Sequence, residues 1–215
     1  MNKQSSLEKR NPEKRRIFSL GRGFRFFLKA NILLVLFILV FMVNKTEWKY
    51  DGRISVITFS TFAEAFVILL CIIACIKPNR NSRSKGISRK QPKEWLGALI
   101  AFVFLSLFSL IFLGANIPYP STLIFLMLIS NGMFAAYSVL FHPIALRIYE
   151  TNVFQEKTTL LDYIFKYVAI FFSGINYYVQ ITLLKLPLLL NKLIAIVFVL
   201  FLWWQAAITG MIFNH

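Results

Sequence analysis

The sequence predicts an all-α protein, a polytopic transmembrane helix bundle of about six spans with both termini on the cytoplasmic side. Hydrophobic residues make up 58% of the chain and the mean hydropathy is +0.66, both well above the values of soluble proteins. Apolar runs of about 20 residues, the length that crosses the hydrocarbon of a bilayer, recur along the chain. Lysine and arginine gather in two tracts instead of spreading over a surface. We therefore expect membrane lipids around the chain.

Six apolar runs are long enough to cross a membrane. The first four are bounded by charged residues or by proline, which stops a helix. The last two are bounded less sharply, because Lys185, Pro187 and Lys192 lie among the leucines between them. Five spans with one re-entrant or interfacial segment is therefore the competing arrangement. The predicted spans cover residues 26–43, 54–76, 95–115, 122–146, 160–182 and 193–213.

The distribution of positive charge predicts the orientation, because cytoplasmic segments carry an excess of lysine and arginine. The tail before residue 26 holds eight basic residues and the segment 77–94 holds seven, whereas 44–53 holds three and 116–121 holds none. Both basic tracts are therefore expected in the cytoplasm. The predicted parts are a basic cytoplasmic tail (1–25), a first transmembrane hairpin (26–76), a basic cytoplasmic loop (77–94) and a four-span transmembrane bundle (95–215).

The sequence lacks the motifs that mark most membrane enzymes. It contains two histidines and nine acidic residues, and neither HExxH, nor GxSxG, nor a glycine-rich phosphate loop occurs. Cys71 and Cys75 lie in one apolar run, so they suggest neither a disulfide framework nor a metal cluster. We therefore expect a protein that is not an autonomous enzyme, that holds no metal or cofactor, and that does not bind nucleic acid.

Polar side chains within the apolar runs are the candidate functional residues, because a charge at the centre of a bilayer costs several kcal/mol and is rarely left facing lipid. Glu64 falls near the middle of the second run, and Asn131 falls at a similar depth in the fourth. At helical spacing, each of these residues shares its face with other small or polar residues. The fifth run carries a continuous stripe of this kind: Asp162, Lys166, Ala169, Ser173, Asn176 and Gln180.

Two interpretations of these stripes compete. In the first, small and polar residues pack helix against helix and form hydrogen bonds across the contact, as the pair Gly132 and Ala136 suggests. Asp162 and Lys166, four residues apart, would then neutralise each other as a helical ion pair. In the second, the residues surround a polar cavity that holds a headgroup, an ion or a proton. The wall of that cavity would be Glu64, Asn131 and Asn176, and its cytoplasmic mouth His142, Asp162 and Lys166.

Two functional hypotheses follow from these interpretations. The first is a non-catalytic subunit or assembly factor of a larger membrane complex, with protein partners that complete the bundle. The alternative is a small transporter or channel-like protein that uses Glu64 as a proton or cation site at mid-membrane. In either case the protein is multi-pass, and we expect it in the endoplasmic reticulum if it is eukaryotic or in the plasma membrane if it is bacterial.

The chain also resembles the small six-span PIG-F family in three places. These are Lys77-Pro78-Asn79 with the Ser-rich basic loop that follows, and residues 111–115 and 136–141. The resemblance implies an accessory subunit of the transferases that add ethanolamine phosphate to GPI anchors in the endoplasmic reticulum. The acidic, tryptophan-rich patch expected between the last two spans of that family is absent from residues 185–192. We therefore keep this role as a third hypothesis and do not place the chain in the family.

Overall fold

The computed structural model describes residues 18–49, 51–76 and 92–214, and the fold they form is all-α, as predicted. Two short 3-10 helices, Lys45–Glu47 and Leu110–Ala115, lie between the α-helices, and the second of them continues α3. The seven α-helices are α1 (Leu20–Val43), α2 (Gly52–Cys75), α3 (Pro92–Ser109), α4 (Ser121–Leu140), α5 (His142–Phe154), α6 (Leu160–Leu183) and α7 (Leu188–Asn214).

Five of the helical segments are long and apolar enough to cross a membrane, judged by length and composition. Their outward faces are apolar, with Ile32 and Leu200 among the most exposed side chains. The protein is therefore a membrane-embedded helix bundle. The five segments are Leu20–Val43, Gly52–Cys75, Pro92–Ala115, Ser121–Leu140 and Leu188–Asn214.

Hydrogen bonds define which helix termini share each end of the bundle. At the end where α1 begins, which we call the N-terminal end, Ser19 N donates to Cys75 O of α2 at 2.9 Å. The last turn of α4 lies at the same end as the first turns of α7, because Lys192 Nζ donates to Val139 O. The N-terminal end thus gathers the start of α1, the ends of α2 and α4 and the start of α7.

The opposite end of the bundle is tied together by a second set of bonds. Asn44 Nδ2, just after α1, donates to Ser121 Oγ at the start of α4 over 2.9 Å. Lys49 N, before α2, donates to Ile212 O near the end of α7 at 3.1 Å. Since α7 starts at the N-terminal end and finishes here, the two termini of the described chain lie at opposite ends of the bundle.

Helix α6 differs from the predicted fifth span. The helix forms where expected, and its last residues lie at the N-terminal end of the bundle. Near its start, Lys166 Nζ contacts Glu94 Oε1 in the first turn of α3 at 2.7 Å. Just past its end, Lys185 Nζ donates to Ala74 O in the last turn of α2 at 2.9 Å. A helix of 24 residues is about 36 Å long, but α6 is not among the five helical segments that are both long and apolar enough to cross a membrane.

The polarity of α6 gives the physical reason for this difference. Ser173, Asn176 and Gln180 are buried on one face, and Lys166 adds a charge near the start. A helix with so many polar side chains is stabilised more by packing against other helices than by lipid. Among the described residues, five helical segments therefore have the length and composition of a membrane span where the sequence predicted about six, and the number of spans stays a prediction. Most of the tail 1–25 and of the loop 77–94 lies outside the described residues, and the cytoplasmic side stays a prediction.

The predicted fourth span, 122–146, is also shorter in the structure. Helix α4 ends at Leu140, and Phe141 leaves the helical conformation with φ −119° and ψ 46°. Pro143 occupies the first turn of α5, where its missing N–H is tolerated. Proline inside a continuous helix would clash with the preceding turn, so α4 ends before it and α5 begins as a separate helix.

Candidate functional site

Asn131 links α4 to the middle of α6. Its side chain is fully buried, and its Nδ2 donates to Phe171 O of α6 at 2.9 Å and to Met127 O of its own helix at 2.8 Å. Its Oδ1 accepts from the backbone N of Asn176 at 3.1 Å. One carboxamide thus binds both a carbonyl and an amide of the α6 backbone, which fixes α6 in position and in rotation against α4.

The polar contact continues along α6 beyond Asn131. Asn176 Nδ2 donates to Ser138 Oγ of α4 at 2.8 Å, and Gln180 Nε2 donates to Asn176 Oδ1 at 3.3 Å. Ser138 Oγ in turn donates to Phe134 O at 2.7 Å. The polar stripes of α4 and α6 therefore face each other, and we call this set of hydrogen bonds the α4–α6 network.

Glu64 lies in a different contact, between α1 and α2. The carboxylate is half-buried, and Asn31 Nδ2 of α1 donates to its Oε1 at 3.5 Å. Both residues fall near the middle of 24-residue helices, so they share one depth. Cys71 and Cys75 on the same face of α2 pack against Gly23, where a Cβ atom would collide with the Cys75 thiol. The polar stripe of α2 is thus its contact face with α1, and the structure does not bring Glu64 into the α4–α6 network.

Asp162 and Lys166 have different partners instead of each other. The Asp162 carboxylate accepts from Thr159 N at 2.9 Å, and Thr159 Oγ1 accepts from Asp162 N at 3.2 Å, which is a capping box at the start of α6. Lys166 pairs with Glu94, which also accepts from Tyr167 OH at 3.2 Å. The capping box thus closes the first turn of α6, and the pair of Lys166 with Glu94 binds α6 to α3.

His142 lies at the start of α5, on the N-terminal end of the bundle. Its Nε2 is buried and has no hydrogen-bond partner in the described part of the chain. In the described part of the chain, His142, Asp162 and Lys166 thus form no hydrogen bond with one another, and their role as a cytoplasmic mouth stays a prediction. Within the ranges that the structure describes, no group of three His, Cys, Asp or Glu side chains is placed to hold a metal ion.

Two pockets stand out in the bundle, and neither is lined by Glu64. The first is a cavity of about 20 Å³ between α4, α5 and α6, lined by Ser173, Asn176 and Tyr149 among others. This volume holds one water molecule. The second is an open pocket of about 480 Å³ at the opposite end of the bundle, where Glu47 and Asn214 are among its lining residues. The α4–α6 network is therefore a packed contact with room for a single water beside it.

Two residues of these contacts did not emerge from the sequence. Asn31 sits in the middle of the first apolar run, and its polarity at the depth of Glu64 was a signal that could have paired the two. Glu94 lay in the predicted basic loop, where nothing distinguished it from a solvated charge. Only the three-dimensional path of α6 places Lys166 against it.

Arg22 and Lys185 meet at the end of α2. Arg22 Nη2 donates to Cys75 O at 3.5 Å, and Lys185 Nζ donates to the neighbouring carbonyl of Ala74. Burial lowers the pKa of Lys185, the nearby Arg22 guanidinium lowers it further, and Cys75 opposes the shift. Two half-buried cations from α1 and from the turn before α7 thus share one helix terminus.

No protein family matches this chain, and no curated protein or solved structure matches it either. The resemblance to the PIG-F family therefore rests on its short stretches alone, and we do not carry it further. The functional conclusion depends on the geometry of the bundle.

Proposed function

We propose that this protein is a non-catalytic subunit or assembly factor of a larger membrane complex. The observation that carries the proposal is the use of the intramembrane polar residues: Asn131, Ser138 and Asn176 bind one another and the helix backbone. A transport pathway needs polar groups that face open space, whereas these groups face other groups of the bundle. Their role is to set the relative position of α4 and α6.

The contact between Asn31 and Glu64 supports a partner that completes the bundle. A carboxylate at the middle of a membrane helix is stabilised when it is enclosed by polar groups and destabilised where it faces lipid. Glu64 is only half-buried, and among the described residues one carboxamide, that of Asn31, reaches it at 3.5 Å. A transmembrane helix from another protein, with a hydrogen-bond donor at the same depth, would enclose the remaining surface.

Purification in a mild detergent tests this proposal. We expect a partner protein to co-purify in a fixed ratio with the wild-type chain and with an Asp51→Asn control, which removes an acid outside the helices. Glu64→Leu should release the partner while the chain itself stays folded. Recovery of the wild-type chain alone, as a stable monomer in several mild detergents, would contradict the proposal.

The second candidate function is proton or cation transport through Glu64. Its support is the same half-buried carboxylate, which has one amide partner and no paired cation in the described residues. In proteoliposomes, Glu64→Gln should abolish flux without changing insertion or abundance if the residue is a transport site. A loss of abundance with unchanged flux per molecule assigns Glu64 to packing instead.

A further inference from the structure

Four basic residues form one patch at the N-terminal end of the bundle. Arg22, Arg25 and Lys29 follow one face of α1 at spacings of three and four residues, and Lys185 reaches the same place from the turn before α7. Arg22 and Lys185 meet at the final carbonyls of α2, and Arg25 and Lys29 are exposed. We call these four residues the basic patch.

The hydrogen bonds to the end of α2 use only some of the N–H donors of the basic patch. An arginine has five N–H donors and a lysine ammonium has three. Arg22 uses one donor on Cys75 O, Lys185 uses one on Ala74 O, and Arg25 Nε donates to Gly21 O at 3.3 Å. No carboxylate lies within ion-pair distance of these cations in the part of the chain that the structure describes. The remaining donors are therefore available to an anion.

The surface next to the patch is apolar. Ile32, Val35 and Leu36 continue along the outside of α1 toward the opposite end and are all more than half exposed. A ligand that fits both surfaces has an anionic head and a hydrocarbon body longer than about one helical turn. A free phosphate ion fits the first surface only.

We propose that the basic patch binds the headgroup of an anionic phospholipid, whose acyl chains lie along the outer face of α1. The phosphate bridges Arg22 and Lys185, and Arg25 and Lys29 bind further headgroup oxygens. The half-buried Lys185 ammonium gains the counter-ion that the described residues do not supply. The lipid thereby joins α1, the end of α2 and the α6–α7 turn into one rigid unit.

Binding of short-chain phosphatidylglycerol and phosphatidylcholine to the purified protein in detergent tests this proposal. Each basic residue near a membrane surface contributes about 1 kcal/mol to the attraction of anionic lipid, so removing two charges lowers the affinity about 30-fold. We expect that loss for phosphatidylglycerol in the double variant Arg22→Gln with Lys185→Gln. The matched control, Lys45→Gln with Lys49→Gln, removes the same charge at the opposite end and should change the affinity less than twofold.

Three results would overturn the proposal. The first is equal affinity for phosphatidylglycerol and phosphatidylcholine, and the second is an equal loss in the control variant. The third is displacement of the lipid by millimolar inorganic phosphate, which would assign the patch to a soluble anion. If the double variant does not fold, the exposed residues answer the question, because Arg25→Gln and Lys29→Gln should each weaken phosphatidylglycerol binding about fivefold.

Discussion

Replacing Asn131 with alanine should loosen α6 from the bundle more than any other single polar substitution in α4. The change removes two hydrogen bonds between helices, to Phe171 O at 2.9 Å and from Asn176 N at 3.1 Å. Hydrogen bonds between membrane helices contribute about 0.6 kcal/mol each on average and up to about 1.7 kcal/mol. We therefore expect Asn131→Ala to lower the free energy of unfolding by about 1 to 3 kcal/mol.

The assay is reversible unfolding in mixed micelles with a rising fraction of sodium dodecyl sulfate, followed by circular dichroism. Asn152→Ala is the matched control, because the Asn152 amide donates to Ile148 O of its own helix at 2.9 Å. The control should change the free energy of unfolding by less than about 0.5 kcal/mol. Equal effects of the two substitutions would refute the reasoning that Asn131 holds α6.

Three further predictions concern the path of the chain. In a background without the native cysteines, the thiol of Asn214→Cys should react with an impermeant reagent from the side of the membrane opposite to a tag on the N-terminal tail. Reaction from the same side as the tag would indicate an even number of spans. Gly97→Leu should lower the free energy of unfolding, measured by thermal melting, by about 1 to 3 kcal/mol, because a Cβ there would lie 2.5 Å from Tyr163 Cβ. Gly21→Leu is the control in that measurement, because a Cβ at Gly21 would have no atom within 4 Å apart from its own helix backbone and chain neighbours. Glu94→Gln and Lys166→Gln should show a coupling of about 0.5 to 1 kcal/mol in a double-mutant cycle, since the pair is partly exposed; additive losses would contradict a direct ion pair.

The helices were predictable from the sequence because hydropathy and length act locally. The apolar runs gave α1, α2, α3 and α7 with shifts of up to about six residues at their ends, whereas the predicted fourth span breaks before Pro143. The direction of α6 was not visible, since a periodic pattern predicts a helix and its buried face but not the path of its axis. Its polar side chains and the charge of Lys166 were local signs that it is less apolar than the five candidate spans.

The candidate site was predictable in its members but not in its pairing. Asn131 and Asn176 were identified from their polarity within apolar runs, and they do contact each other. Glu64 shared their depth and was grouped with them, yet its partner is Asn31 on the neighbouring helix. Depth along a helix can be counted in the sequence, whereas the choice of neighbour depends on how several helices pack together.

The position of α6 has a consequence for how the protein is made. The segment between α4 and α7 begins and finishes at the same end of the bundle, because Lys192 Nζ of α7 donates to Val139 O of α4, so an insertion machinery need carry neither of its two ends across the membrane. The helices that pack most extensively against α6, namely α3, α4 and α5, all precede it in synthesis. Its polar face can therefore dock as it leaves the ribosome, and the completed four-helix unit then presents a ready surface to α7, the last helix to enter.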